Sequence, residues 1–384
     1  MADIVKHGFT PARRVQFAGR FLVLGAALLA CGEPTPGRAQ TAATGPAPGH
    51  SPSPVPTTPR RFPTALWPVT RLFNVDRVDV RDIAARYGMK AAWRQAGKVM
   101  QLSEGGRVRI EFEDRNRDCY LDGTRIMLGE TVVFYNGSLY VGKIDAIKTI
   151  APLLRPTDYA GLLPARPKLI VLDAGHGGSD PGKQNLALRL DEKDMTLDVV
   201  RRLKKLLELR GYQVRLTRTD DSRLARDQRS DLLARINIAN RARADLFLSI
   251  HFNAVDPLFA ARVSGSETYV LTPQFQLSSS DDRKDDTVDK AYPGNRQDLA
   301  NVLLGYQIHH HMLGTLKTSD RGYKRARYAV LCFAECPAAL IEAAYLSNDA
   351  EARRVATPEF LQRIAEAIAA GVDGYAAQLG QSQK

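Results

Sequence analysis

An apolar run, KLIVL at residues 168–172, stops at DAGHGGSDPG, where one histidine stands among four glycines. Two later runs, FLSIHFN (247–253) and AALIEAA (338–344), also reach a polar residue at or near their ends. Helical patterns separate and follow these runs. EKDMTLDVVRRLKKLLELRG (192–211) sets Leu197, Val200, Leu203 and Leu207 on one stripe and stops at Gly211. A strand is predicted over YQVRLTR (212–218), then a helix, then a strand over DLFLSIHF (245–252), and a closing helix over 357–379. Strands alternating with helices point to an α/β sheet covered by helices. Ligands of open sheets of this kind bind beyond the carboxyl ends of the strands, where His176, His251 and Glu342 all fall.

The glycines around His176 raise two chemistries, a phosphate cradle and a metal site. A dinucleotide loop needs G-x-G-x-x-G, but Gly175 and Gly177 are followed by Asp180 and Pro181, and no Gly-Lys-Ser/Thr is present. Asp180 would also repel a phosphate. A metal site fits better. Two histidines and a carboxylate make a zinc shell with one position left for water, and a second carboxylate beside that water can act as base and then acid. Glu192 opens a predicted helix, where the helix dipole welcomes a carboxylate. Residue type alone leaves bland accounts open, since a strand-end histidine is often structural and Glu192 can be a helix-start charge. Glu342 is harder to dismiss, because an unpaired carboxylate in an apolar run costs several kcal/mol to bury.

VLDAGHGGSDPG, the DEKD around Glu192, RINIANRARADLFLSIHFNA (235–254) and PAALIEAAYLSN (337–348) together resemble the zinc-dependent N-acetylmuramoyl-L-alanine amidases of the amidase-3 family. The resemblance runs from about 167 to 379 with the motifs in family order. It implies an open mixed sheet flanked by helices over 166–380. It also implies His176, Glu192 and His251 as zinc ligands, Glu342 as catalytic carboxylate, and Asn253 shaping the substrate site. The implied reaction is hydrolysis of the amide between muramic acid and the first L-alanine of the peptidoglycan stem. Zinc would polarise the carbonyl and lower the pKa of its water, and Glu342 would carry the proton to the leaving amine. EAAY at 342–345 departs from the glycine and aromatic more usual after that glutamate. Two other functions remain compatible: a non-catalytic wall-binding or regulatory protein on the same fold, and a zinc peptidase cutting within the stem.

The rest of the chain reads as delivery. Lys6, Arg13, Arg14 and Arg20 precede FLVLGAALLAC (21–31), a basic start and short apolar run of the secretory type, over a segment taken as 1–39. LLAC (28–31) resembles a lipobox that would leave Cys31 lipidated, while Ala39 offers an ordinary cleavage site. Export to the periplasm or cell envelope is expected either way. Ten of the chain's 21 prolines fall in 34–68, so 40–68 is expected to be a disordered tether. Residues 69–152 form a small α+β unit: a helix and Gly88 in 78–93, alternating strands, and an NG hairpin at 136–137. This order resembles the copper-amine-oxidase N-terminal-like stalk module, with no copper site implied, because the segment has no histidine. It is either a spacer or a wall-binding unit.

The net charge of +12 suits an acidic partner such as nucleic acid, anionic lipid or an anionic wall polymer. With no aromatic-basic interleaving and no recognition-helix motif, no nucleic-acid partner is expected. An activator protein is compatible with the sequence but nothing in it points to one. Three smaller features carry expectations. Cys332 and Cys336 suggest a local disulfide or two free thiols. His309, His310 and His311 suggest a polar helix face, since neighbours about 100° apart cannot share one ion. The polar insert at 273–294 suggests a loose loop rather than an inhibitory plug.

Overall fold

The computed structural model describes residues 67–279 and 288–381. Its first part is mostly strand: β1 (Thr70–Leu72), β2 (Val75–Asp79), β3 (Lys90–Gln95), β4 (Val99–Glu104), β5 (Arg107–Glu113), β6 (Asp118–Leu121), β7 (Thr124–Met127), β8 (Val133–Tyr135) and β9 (Ser138–Gly142). The Val80–Arg86 helix is capped by Asp79, whose carboxylate accepts from the Arg81 amide. Between β8 and β9, Asn136 and Gly137 both take positive φ, 43° and 79°, as a two-residue type I′ hairpin turn requires.

From residue 169 strands and helices alternate. β10 (Leu169–Ala174) leads through a small hairpin, β11 (Gln184–Asn185) and β12 (Leu190–Asp191), to the Glu192–Leu209 helix. β13 (Gln213–Leu216), the Gln228–Ala242 helix, β14 (Leu246–Asn253) and β15 (Ser266–Leu271) follow. Then come the Asp298–Leu316 helix, β16 (Asp320–Ala326), β17 (Ala338–Tyr345) and the Pro358–Gln381 helix. The strands lie in the order β13-β10-β14-β17-β15-β16. The first four are parallel, while β15 and β16 run the other way, so the sheet is open and mixed. Every residue of β14 and β17 is buried, because helices cover both faces, and this is why those strands read as unbroken apolar runs. Ile170, Leu172, Leu248 and Ile250 pack under the Glu192–Leu209, Asp298–Leu316 and Pro358–Gln381 helices. Val171, Phe247 and Leu340 face Ile236 and Ala239 of the Gln228–Ala242 helix.

The sheet continues past β16. Tyr323 of β16 pairs in parallel with Ile126 of β7, and β7-β6-β5-β4-β3 extend it to eleven strands. Ile110, Phe112 and Ile126 share one buried cluster with Val302, Leu303 and Tyr323. Polar contacts reinforce the junction. Asp320 accepts from the Arg125 amide at 2.8 Å, Lys148 Nζ reaches Asp298 at 2.8 Å, and Arg325 donates to Thr149 Oγ1 at 2.9 Å.

Three expectations change. His309 is fully buried, with Nε2 2.9 Å from Asp320 and Nδ1 3.3 Å from Thr268, while His310 stacks on Tyr306 and meets Thr124. The helix that carries them is covered on several sides, so no polar face forms there. The start of the polar insert is packed rather than loose: Gln276, Ser278 and Ser279 are buried, and Gln276 donates to the buried Asp145 carboxylate. Positions 280–287 lie outside the described residues. Cys336 is a free, buried thiol, so no local bridge joins it to Cys332. Among the described residues no helix is long and apolar enough to cross a membrane. The expected signal segment, with Cys31 and Ala39, and the tether up to residue 66 lie outside them.

Candidate metal centre and active site

The chain must turn sharply beyond β10 to bring His176 over the sheet. His176 itself takes φ +63°, rare for a side-chain-bearing residue, and Gly177, Gly178 and Gly182 are also positive. Two buried arginines hold this turn. Arg235 donates to the carbonyls of Ala174 and His176 at 2.7 Å each while ion-paired to Asp173 and Asp231. Arg218 donates to the carbonyls of Ala174, Gly175 and Lys193. The three consecutive carbonyls 174–176 are thus all bound by guanidinium groups. Asp173 is kept ionised despite its burial by Arg235, Thr217 and Ser249. Space near the ligands is equally constrained. A Cβ on Gly175 would meet the His251 ring at 2.2 Å, and one on Gly182 would meet Glu192 Oε2 at 2.6 Å and the His176 ring at 2.7 Å.

His176, Glu192 and His251 come together as a group whose candidate ligand atoms all lie within 4.8 Å of one another. Glu192 Oε1 is 3.1 Å from His176 Nε2 and 3.1 Å from His251 Nδ1. Tetrahedral zinc with bonds of about 2.1 Å sets its ligand atoms about 3.4 Å apart, close to these separations. His176 Nε2 is buried and lacks a well-aligned hydrogen bond despite the nearby carboxylate, so it is free to turn to a metal that displaces its proton. Its other nitrogen, Nδ1, is 3.0 Å from Asp180, which fixes the ring orientation and leaves Nε2 as the ligand atom. Glu192 is oriented by the amides of Lys183 and Phe252.

Electrostatics point the same way. Burial alone would lower the His176 pKa, but Glu192 and Asp180 outweigh it and hold it at about 10. The positive His176 in turn keeps Asp180 down at about 2. Burial pushes Glu192 up, but the two histidines pull it well below the ordinary carboxylate range. The pocket favours positive charge, and its donor set of two imidazoles and a carboxylate fits zinc.

Glu342 sits opposite His251 in register on β17. It is buried, its Oε2 has no hydrogen-bond partner, and burial with the nearby Glu192 and Glu267 raises its pKa well above the usual value. Glu267, opposite Glu342 on β15, was not visible as a site residue in the sequence. Its carboxylate accepts from Tyr269, Tyr345 and Asn253 and pairs with Lys324. Asn253 is 3 % exposed and turned toward Glu267. The only early sign of this cluster was a charged residue inside the apolar SETYVL stretch.

The fold and the site define a class: an α/β protein with three donors that could hold a metal at the carboxyl edge of a parallel strand group and an unpartnered carboxylate one strand away. The chain belongs to the N-acetylmuramoyl-L-alanine amidase family of the amidase-3 type, whose family model matches residues 170–374, more than half of its length. It is 31 % identical over 228 residues to the uncharacterized protein YqiI of Bacillus subtilis, covering 59 % of this chain and 91 % of that one. It is 31 % identical over 240 residues to the amidase AmiC of Escherichia coli O6:H1, covering 55 % of this chain and 53 % of AmiC. Among solved structures it is similar to the CwlD amidase of Clostridioides difficile in complex with the GerS lipoprotein. That match has TM-score 0.44 and 29 % identity, covering 55 % of this chain and 98 % of that one.

Proposed function

We propose that this protein is an exported zinc amidase that cleaves the bond between N-acetylmuramic acid and L-alanine in peptidoglycan. The observation that carries this reading is the convergence of His176, Glu192 and His251 beside the buried, unpartnered Glu342. Family membership and the amidase relatives supply the substrate class. His176 through Nε2, Glu192 through Oε1 and His251 would hold zinc, and Asp180, Arg235 and Arg218 would keep the His176 turn in place. Zinc, when bound, supplies Lewis acidity and an activated water.

Glu342 accepts a proton at Oε2, the oxygen without a protein partner, and returns it to the leaving amide nitrogen. Asn253 shapes this wall indirectly, through Glu267. Residues 69–152 serve as a spacer or wall-binding unit, and the N-terminal segment directs export with lipidation at Cys31 or cleavage at Ala39.

Zinc binding is the first test. Near one equivalent in the purified full chain, lost on substituting His176 or His251 by alanine, supports the site. Zinc content unaffected by either substitution would remove it.

A further inference from the structure

Beside the proposed catalytic carboxylate lies an arginine whose hydrogen-bonding capacity is unspent. Arg321 of β16 has its Nε buried without a hydrogen-bond partner. Its guanidinium lies 5.9 Å from the ring centre of Tyr345 on β17, so the side chain has crossed back over β15 toward the strand that carries Glu342. Glu267 is 3.6 Å away, beyond hydrogen-bond length, and the Glu351 carboxylate, engaged by the Gly265 and Tyr345 amides, also lies within its electrostatic reach.

Glu267 is already occupied. An ionised carboxylate offers about four acceptor positions, and Tyr269, Tyr345, Asn253 and Lys324 approach it. Two cations, Arg321 and Lys324, therefore face one saturated anion. Arg321 remains 29 % exposed while Lys324 is mostly covered. Ser266, Glu267 and Arg321 open β15 and β16 at the edge where β17 ends, the edge that carries the proposed metal site. Here stands a forked donor without a hydrogen-bonded counter-ion, set back from Glu342 by strand spacings of about 5 Å each. A guanidinium with free N–H groups on one edge matches a carboxylate in two-point contact.

We propose that Arg321 is the docking point for a free carboxylate on the stem-peptide residue that follows the scissile L-alanine, which makes this protein selective for stems carrying an acid rather than an amide there. The inference rests on the amidase function proposed above. A residue spans about 3.5 Å along an extended chain, so a carboxylate two residues beyond the reacting muramic carbonyl, about 7 Å on, falls toward β15 and β16 when the peptide crosses the strand edge. Lys324 fixes Glu267, and Glu267 fixes Tyr345, over whose ring the Arg321 guanidinium lies.

The test uses the full chain with zinc, and two defined substrates: N-acetylmuramoyl-L-alanyl-D-glutamic acid and its α-amide. Wild type is expected to show a KM for the acid about tenfold or more below that for the amide, a factor suited to a charged two-point contact. Arg321→Gln is expected to erase that difference by raising KM for the acid, with kcat within about twofold and the amide unaffected. Arg321→Lys should fall between the two, and unchanged melting temperatures in both variants establish that folding is intact. Equal KM values for acid and amide in wild type, or equal losses on both in Arg321→Gln, would overturn the inference and leave the amidase function standing. Zinc-loaded wild type that releases peptide from neither substrate would remove both.

Discussion

Gly175→Ala probes the proposed metal centre through space alone. Gly175 is absent from the positive-φ positions, so alanine tolerates its backbone, yet the added Cβ would lie 2.2 Å from His251 Cε1 and 2.6 Å from both ring nitrogens. Ordinary contact begins near 3.4 Å, so the ring would have to withdraw by about 1.2 Å. It has little room. His251 is 5 % exposed, its ring centre is 5.0 Å from that of His176, and the Gly175 amide is tied to the Ile250 carbonyl at 3.1 Å. Overpacking of this kind costs about 1–3 kcal/mol, a fall in melting temperature of roughly 2–10 °C for a chain of this size. Metal–ligand distances hold to about 0.2 Å, so a displacement of this size removes His251 from the shell, and zinc affinity should fall by about 100-fold or more. Chelator competition on the purified variant reads the affinity, and a thermal melt reads the strain. A variant with wild-type zinc affinity and wild-type melting would refute the placement of Gly175 against a ligand ring.

Glu342→Ala should keep zinc within about twofold of wild type while turnover drops by roughly 10²–10⁴; steady-state rates beside metal content check this, and normal turnover would sink the assignment. Arg235→Lys keeps a charge but cannot span Asp173, Asp231 and two carbonyls at once, so zinc affinity should fall about tenfold, read by the same competition assay. Residues 166–384 expressed alone should melt lower than the full chain or aggregate. They would lose the β7 neighbour of β16 and expose buried side chains such as Tyr323. Calorimetry of both chains would show equal melting if the eleven-stranded sheet contributes nothing.

Much of the proposed site was readable because its residues interrupt patterns. His251 and Glu342 break fully buried strands, and His176 sits in a glycine run where the backbone must turn, so each stood out against its own neighbours. Glu192 was legible as a helix start, although its pairing with both histidines depends on the β10–β14 register, which local sequence does not encode. The supporting residues were not legible. Arg218 and Arg235 act on backbone carbonyls about 40 and 60 positions away, and a buried arginine looks like a surface arginine until its partners are known. The β16–β7 joint is a single parallel pairing between residues nearly 200 apart, and no turn or spacing announces it. His309 misled for a similar reason: three adjacent histidines suggest an exposed face only when nothing covers the helix on that side, and β15 and β16 do.

The central claim is that these four side chains form a zinc amide hydrolase acting at the first bond of the stem. Mass spectrometry of soluble products from purified peptidoglycan, digested by the full chain with and without a zinc chelator, tests it most directly. Free stem peptides beginning at L-alanine, alongside glycan stripped of peptide, are expected only without the chelator. Peptides cut within the stem, or the same release in both reactions, would contradict it.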